Sequence, residues 1–325
     1  MTLIEIKKAI VLGAYKITPD EFIKAYKKMI ANNLQELTYD SNTLELFKYS
    51  ESYTFKIDET FFAIHKNGKH YASWFTPFTE EGNNIEALNL CIDLGIDITF
   101  HDKVREKLGV SFESTYQKFD AYTYSNQGII DNYNAAGRNN SRRKINKLRS
   151  STYFEVIPAN ELTVYQKEDI SELEKQWFEV VKKSNSFYSF NFNQLVKNHF
   201  ISDIFNDTFV ILFRNREDGK PVGYSCTEII GNKGIEYIRK SIMQGSHYEY
   251  MTIVQMETLK QKYNIELMDF GAARFWYGKS MIDRVNEQLY KTKSSLPHEL
   301  HWVHTSGYDM KKFNSVDIEA SRELF

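Results

Sequence analysis

Between Gly234 and Lys291 the hydrophobic period alternates between that of a strand and that of a helix, and no other stretch limits the fold as tightly. Gly234 to Met243 reads as a strand, Tyr248 to Lys262 as an amphipathic helix, Ile265 to Gly271 as a second strand and Lys279 to Lys291 as a second helix. Strands joined through a helix lie parallel and usually adjacent. An α+β domain with a parallel strand pair is therefore expected in the C-terminal half.

The rest of the chain reads in the same terms. A Thr18-Pro19-Asp20 start signal opens a helix to Asn32. Alternating strands follow at Tyr53 to Ile57, Thr60 to His65 and His70 to Phe75, the last two joined across Lys66 to Lys69, where Asn-Gly favours a tight hairpin. Asn84 to Leu94 has helical spacing, Ile96 to Phe100 that of a strand, and Asp102 to Leu108 that of a helix. In the second half Thr208 to Asn215 and Val222 to Ile230 flank an Asp218-Gly219 turn. Thr60-Phe61 matches Thr208-Phe209, and Asn67-Gly68-Lys69 matches Asp218-Gly219-Lys220, which suggests two copies of one unit. The expected organisation is an N-terminal helical extension (1–45), a first domain (46–120), a basic linker helix (121–155) and a second domain (156–325) that carries the active cleft.

Composition narrows the function classes. A formal net charge of −2 over 325 residues gives no global attraction to nucleic acid or membrane, so any basic surface is local. Cys91 and Cys226 each lie inside an apolar pattern and form no CxxC motif, which reads as two buried thiols. No apolar run approaches the ~20 residues that span a bilayer, and Met1 to Lys8 lacks a signal-peptide profile. A soluble, cytoplasmic protein without a transmembrane segment is expected.

The local basic surface lies between Asn132 and Phe154, a stretch without an acid that carries Arg138, Arg142, Arg143, Lys144, Lys147 and Arg149. On a helix Arg142, Asn146 and Arg149 share one face, and Arg143 and Lys147 another. Such a field suits a polyanion, with guanidinium forks gripping phosphate and lysines adding charge. The alternative is a solvated interdomain helix paired with the acids of Glu161 to Glu174.

Tyr122 to Arg149, followed by the strand Tyr153 to Pro158 and a helix bearing Trp177, resembles the C-terminal domain of the phosphatidylglycerol lysyltransferase family. The likeness extends over roughly residues 45 to 305, through the Asp218-Gly219 hairpin, the segment Met268 to Gly271 and the closing Lys291 to Pro297. It implies tandem GNAT-like (acyl-CoA N-acyltransferase-like) domains, each a mixed sheet flanked by helices. It also implies transfer of an aminoacyl group from aminoacyl-tRNA, with tRNA or another nucleic acid as partner and no further cofactor. The acceptor would be an amine or hydroxyl of a lipid head group, peptide or modified nucleobase, with peripheral membrane contact in the lipid case. The family's membrane-spanning flippase portion has no counterpart here.

The residues supply candidates for that chemistry. The separating ends of two parallel strands admit an activated acyl group, and the strands flanking the opening should carry a base and oxyanion donors. Strict alternation puts Glu236 on one face of the first strand and Tyr237 with Arg239 on the other. Arg239, Asp269 and Arg274 are the leading cleft residues, Asp269 to orient the donor's amino group and Arg239 to hold a carbonyl or phosphate. Glu236 and Tyr237 complete the catalytic set, and Tyr277 and Lys293 join Arg274 as substrate-binding candidates. The plainer reading has Asp269 cap the following turn and Arg239 pair with a surface acid.

Two alternatives complete the reading. A CoA-dependent N-acyltransferase would cradle pyrophosphate on the turn Met243 to Tyr250, where Gly245 stands beside bulky His247 and Tyr248; that poor cradle favours aminoacyl-tRNA over acyl-CoA. A nucleic-acid-binding or DNA-base-modifying protein of GNAT descent would use the basic segment alone. His298, His301 and His304 do not make a metal site, because Leu300 to His304 reads as a strand on which His301 and His304 point to opposite faces.

Overall fold

Thr18 and Glu21 set the start of the first helix, α1 (Pro19–Asn32). The Thr18 N–H donates to Glu21 Oε2 at 2.7 Å and the Glu21 N–H donates to Thr18 Oγ1 at 3.2 Å, a reciprocal capping box. Our computed structural model describes residues 15–32, 43–47, 51–67, 70–93, 96–101, 104, 117–181, 205–243, 245–277, 280–281, 296 and 298–305. The chain divides into two compact units, one of Met1–Ala121, Ala272–Tyr290 and Leu300–Phe325, the other of Tyr122–Gly271 and Lys291–Glu299.

In the first unit, β1 (Tyr15–Lys16), β2 (Glu51–Ile57), β3 (Thr60–Asn67) and β4 (His70–Ser73) form an antiparallel meander. A short hairpin, β5 (Phe78–Thr79) with β6 (Gly82–Asn83), pairs with β3 through Phe61↔Phe78. Helix α2 (Ile85–Asp93), capped by Asn84 Oδ1 on the Ala87 N–H, crosses to β7 (Asp97–His101), which runs parallel to β4. Phe55, Phe62, Ile64, Leu88, Cys91, Ile96 and Ile98 share one core. A second, aromatic cluster joins Phe22 and Tyr26 of α1 to Phe75 and Phe78. The helix expected over Asp102 to Leu108 lies, apart from Val104, outside the described residues.

The chain passes into the second unit within β8 (Gln117–Ser125), which leads to α3 (Asn126–Asn134), whose first residue is buried and bonded through Nδ2 to Ile265 O at 2.7 Å. Helix α4 (Asn139–Ser151) is the basic segment, and it ends directly in β9 (Thr152–Pro158). After α5 (Val164–Val181) come β10 (Thr208–Asn215), β11 (Pro221–Ile230) and β12 (Lys233–Ser241), each antiparallel to its neighbour in the order β9-β10-β11-β12. Helix α6 (His247–Tyr263) then crosses to β13 (Leu267–Tyr277), whose part in this unit, up to Gly271, starts parallel to β12, and whose remainder belongs to the first unit. Arg214 ties this unit together, with Nε 2.6 Å from Glu155 Oε1 on β9 and Nη2 2.6 Å from Asp169 Oδ2 on α5.

Both units thus share one connectivity: an antiparallel meander, a crossover helix and a strand parallel to the last of the meander. The strand before the crossover is β4 in one and β12 in the other, so the turn matching Asn67 to Lys69 is the β11–β12 turn at Gly231, not Asp218 to Lys220. The short sequence matches paired hairpins one strand out of step. A second correction concerns the chain after Tyr277. Ser280–Met281, expected in a helix from Lys279 to Lys291, forms a strand, β14, folded back on Trp276 and Tyr277; the rest of that expected helix lies outside the described residues. A last strand, β15 (Glu299–Thr305), is antiparallel to β7.

Candidate functional site

Strands β12 and β13 are held together by only three pairs, Lys233↔Leu267, Gly234↔Met268 and Ile235↔Asp269. The ladder stops there although β12 runs on to Ser241, so within this unit the strands part after Ile235 and Asp269. At the same level the register of β12 against β11 jumps from Cys226↔Ile238 to Thr227↔Glu236, leaving Tyr237 as an extra residue. This is a β-bulge, and it re-aims the side chains on either side of it.

The bulge corrects the alternation expected from sequence. Glu236 and Arg239 lie on one face of β12, the face covered by α6, with Arg239 Nε 3.0 Å from Glu236 Oε2. Their side chains are only 11% and 13% exposed. Arg239 Nη1 donates to Thr252 Oγ1 and, at 3.3 Å, to Tyr248 O, both on α6. Its guanidinium also lies 4.8 Å from the centre of the Phe270 ring. A cation fixed in this way, on a ring face and against a carboxylate, stands preset where the strands part.

Asp269 is on the other face. Gly234 and Met268 point toward α6, since a Cβ on Gly234 would meet Leu259 Cδ1 at 2.7 Å and Met268 Sδ at 3.2 Å. Ile235 and its partner Asp269 therefore face the α5 side, in a row with Glu228, which pairs with Ile235 from β11. Asp269 is 1% exposed. The structure thus brings Glu236 to Arg239 and separates Arg239 from Asp269.

The α5 side holds a cluster that sequence reasoning missed. Lys240 Nζ lies 2.5 Å from Glu174 Oε2 and 4.3 Å from the centre of the Trp177 ring, and the Tyr224 hydroxyl donates to Glu174 Oε1. All four residues are buried. Burial pulls the Lys240 amine below its usual range against the opposing pull of Glu174. Burial, with the Glu174 carboxylate next, pushes the Tyr224 phenol well above its usual range. One signal was available: Glu174 falls on the stripe of α5 that buries Ile170, Leu173 and Trp177, and an acid at such a position requires a buried partner.

The turn before α6 also differs from its sequence reading. His247 does not crowd Gly245. Its ring is turned into the core, fully buried, with Nδ1 2.6 Å from Ser241 Oγ and Phe213 and Tyr250 packed around it. Burial pushes its pKa down to about 4. Gly245 has a left-handed φ of +73° with open space around it, and Ser246 at the helix start makes no side-chain capping bond.

The basic segment is the expected helix, but acids 108 residues further on meet part of its charge. Ile145 is fully buried under α4. Arg149 Nη2 lies 2.6 Å from Glu257 Oε1, Arg138 Nη1 3.8 Å from Glu249 Oε1, and Ser141 Oγ donates to Glu249 at 2.6 Å, both acids belonging to α6. Arg142 donates to Asn134 O at 2.6 Å and to Asn139 Oδ1. The Glu161 to Glu174 stretch is not their partner. Arg143, Lys144 and Lys147 are exposed and make no ion pair among the described residues.

Arg274 and Tyr277 lie on β13 beyond Gly271, and Lys293 lies outside the described residues. Among the described residues no group of His, Cys, Asp or Glu is placed to hold a metal, and no helix is long and apolar enough to cross a membrane. Cys91 and Cys226 are buried free thiols.

No family model matches the chain, and no curated protein does. Solved structures do. The C-terminal domain of an Agrobacterium fabrum protein named as a lysylphosphatidylglycerol synthetase superposes with a TM-score of 0.58 over 94% of this chain and 95% of its own, at 9% identity. The chain has that fold. L-PGS of Bacillus licheniformis gives a TM-score of 0.60 over 92% and 96% at 10% identity, and FemX gives 0.55 over 94% and 99% at 11%. The α+β, GNAT-like organisation with mixed sheets and flanking helices expected from the sequence is the organisation found.

Proposed function

We propose that the chain is an aminoacyltransferase that moves an aminoacyl group from aminoacyl-tRNA to an amine or hydroxyl acceptor. The observation that carries this reading is the parting of β12 and β13 directly beside a bulge that pairs Glu236 with Arg239. An ester carbonyl entering the gap would meet the Arg239 guanidinium, which can donate to the oxyanion formed on attack. The acceptor's proton would go to Glu236, the acceptor would bond to the carbonyl carbon, and the ribose oxygen would leave with a proton returned to it. Tyr237, the extra residue of the bulge, would line the gap, and Arg274, Tyr277 and Lys293 would contact substrate. Asp269 has no step beside Arg239; it would act on the donor's amino group only from the α5 side. The fold shared with L-PGS and FemX supports the class of reaction.

The test supplies charged tRNA bearing a labelled amino acid and follows the label into lipid, peptide or nucleoside acceptors by mass spectrometry. Transfer by the wild type that Glu236→Gln lowers by about a hundredfold or more is the expected result; label that never leaves the tRNA would overturn the reading.

A CoA-dependent N-acyltransferase is the second reading, favoured by one feature. With His247 turned inward, the uncapped start of α6 and the open Gly245 turn leave backbone N–H groups for a pyrophosphate. Acyl-CoA consumption in place of tRNA deacylation would establish it.

A further inference from the structure

Strand β9 ends the order β9-β10-β11-β12 and pairs with β10 alone among the described residues, so its outer edge is open. Two bonds beside it fix which groups that edge presents. The Arg216 N–H donates to Ser151 O at 2.8 Å, whereas the Asn215 N–H turns the other way, to Lys220 O at 2.9 Å. The register from Asn215↔Thr152 to Phe209↔Pro158 is unbroken. Tyr153, Glu155 and Ile157 therefore bond β10, and Thr152, Phe154 and Val156 turn their N–H and C=O groups outward. Two of these groups are met within the chain: the Thr152 N–H donates to Leu148 O, and Val156 O accepts from Lys262 Nζ at 3.5 Å. Thr152 O, both groups of Phe154 and the Val156 N–H have no bond among the described residues.

An open edge is usually blunted by a lysine, an inner proline or a bulge. None of these devices is present in β9: its one charge, Glu155, is paired with Arg214, Pro158 is its last residue, and its register is regular. Phe154 is 42% exposed beside the unmet groups. We propose that this edge binds the same edge of a second copy of the chain, antiparallel, with Phe154 on the two-fold axis.

The unmet groups select that register. With Phe154 opposite its own copy, the two Phe154 residues exchange both N–H···O bonds, and each Val156 N–H donates to Thr152 O of the second copy. The groups left facing each other, the Thr152 N–H and Val156 O, are the two already met within each chain. Centring on Glu155 instead would set two carboxylates opposite each other and leave Thr152 O facing Pro158, which has no N–H. Charge selects a second copy over a foreign strand. Antiparallel pairing runs the basic segment that precedes β9 toward the acids that follow β9 in the other copy. Arg143, Lys144 and Lys147 at one end and Glu161 and Glu168 at the other are exposed and make no ion pair within the chain among the described residues.

The dimer requires no part of the transfer reaction, so either reading can fail without the other. Sedimentation of the full chain is measured across protein concentration and salt for the wild type, for Phe154→Lys, for Phe154→Glu and for an equal mixture of the two, with circular dichroism to check that each is folded. The wild type should reach the mass of two chains and lose dimer as salt rises. Each variant sets like charges together on the axis and should dimerise at least about tenfold more weakly, and the mixture should recover the dimer. Val156→Pro removes an outward N–H and leaves the bonds to β10, so it should also lose the dimer even if a charge at 154 disturbs the contact with Phe213. A wild type that keeps the mass of one chain at every concentration would overturn the proposal. So would a dimer that both Phe154 variants and Val156→Pro retain, or a mixture that dimerises no better than its components.

Discussion

Arg239 Nε lies 3.0 Å from Oε2 of Glu236, three residues earlier on the same strand, although residues at that spacing on a regular strand point to opposite faces. The pair exists because Tyr237 is extra in the register of β12 against β11. Both side chains are nearly buried, so removing either partner leaves a charge without its counterion. Glu236→Gln or Arg239→Gln should each cost about 3 kcal/mol in chemical denaturation. The double variant should cost less than the two together by at least about 1 kcal/mol. Strict additivity would show that the two side chains do not interact in solution.

The Lys240–Glu174 pair is deeper and supported by Tyr224 and Trp177. Lys240→Met leaves the Glu174 carboxylate buried with only the Tyr224 hydroxyl, and a loss of about 3 to 5 kcal/mol is expected. Adding Glu174→Leu removes the stranded charge and should restore at least half of that loss. A double variant as unstable as Lys240→Met alone would mean that the pair is held for its shape and not for its charge balance.

What was legible in the sequence was what local pattern controls. The helix Thr18 to Asn32 was readable from its apolar period and its capping start, and the strands Thr208 to Asn215 and Val222 to Ile230 from apolar runs on either side of the Asp218-Gly219 turn. Tyr248 to Lys262 is a helix as expected, but not an amphipathic one: Tyr250 to Met256 are buried without a break. The bulge was not, since no Gly or Pro marks Glu236 to Ile238 and alternation assumes that every residue takes a place in the ladder. Nor were the acids that hold α4, because Glu249 and Glu257 come from a helix a hundred residues away. Arg239 and Glu236 each stand out in the sequence as site candidates, but their union is a property of the register, which no single strand records.

Gly234 sits where α6 crosses the short parallel ladder, and the room there is fully used. A Cβ would lie 2.7 Å from both terminal carbons of Leu259, which is itself completely buried. Gly234→Ala should cost about 1 to 3 kcal/mol by overpacking. Leu259→Ala in the same chain frees that volume, so the double variant should be more stable than the sum of the two single losses predicts. A Gly234→Ala protein as stable as the wild type would show that α6 has slack to move away from β12.

His247 makes stability depend on pH in a defined window. Its ring is fully buried between Phe213 and Tyr250, so the neutral form is the one the fold holds, and its pKa falls from the usual 6.5 to about 4. Above pH 6.5 neither the folded nor the unfolded chain protonates this ring, and its contribution is complete. As pH falls toward 4 the unfolded chain takes up the proton while the folded chain does not, so stability drops by about 3 kcal/mol across the window and levels off below it. His247→Phe keeps an aromatic ring against Phe213 and Tyr250 and gives up the bond to Ser241, so it should be less stable at pH 7 but lack this part of the slope. Carboxylates titrate in both proteins, and the difference between the two curves is therefore the quantity to read. Denaturation at intervals between pH 7.5 and 4 should show the wild type losing about 3 kcal/mol more than His247→Phe. Parallel curves would mean that the ring is reached by water and protonates in the folded chain as freely as in the unfolded one.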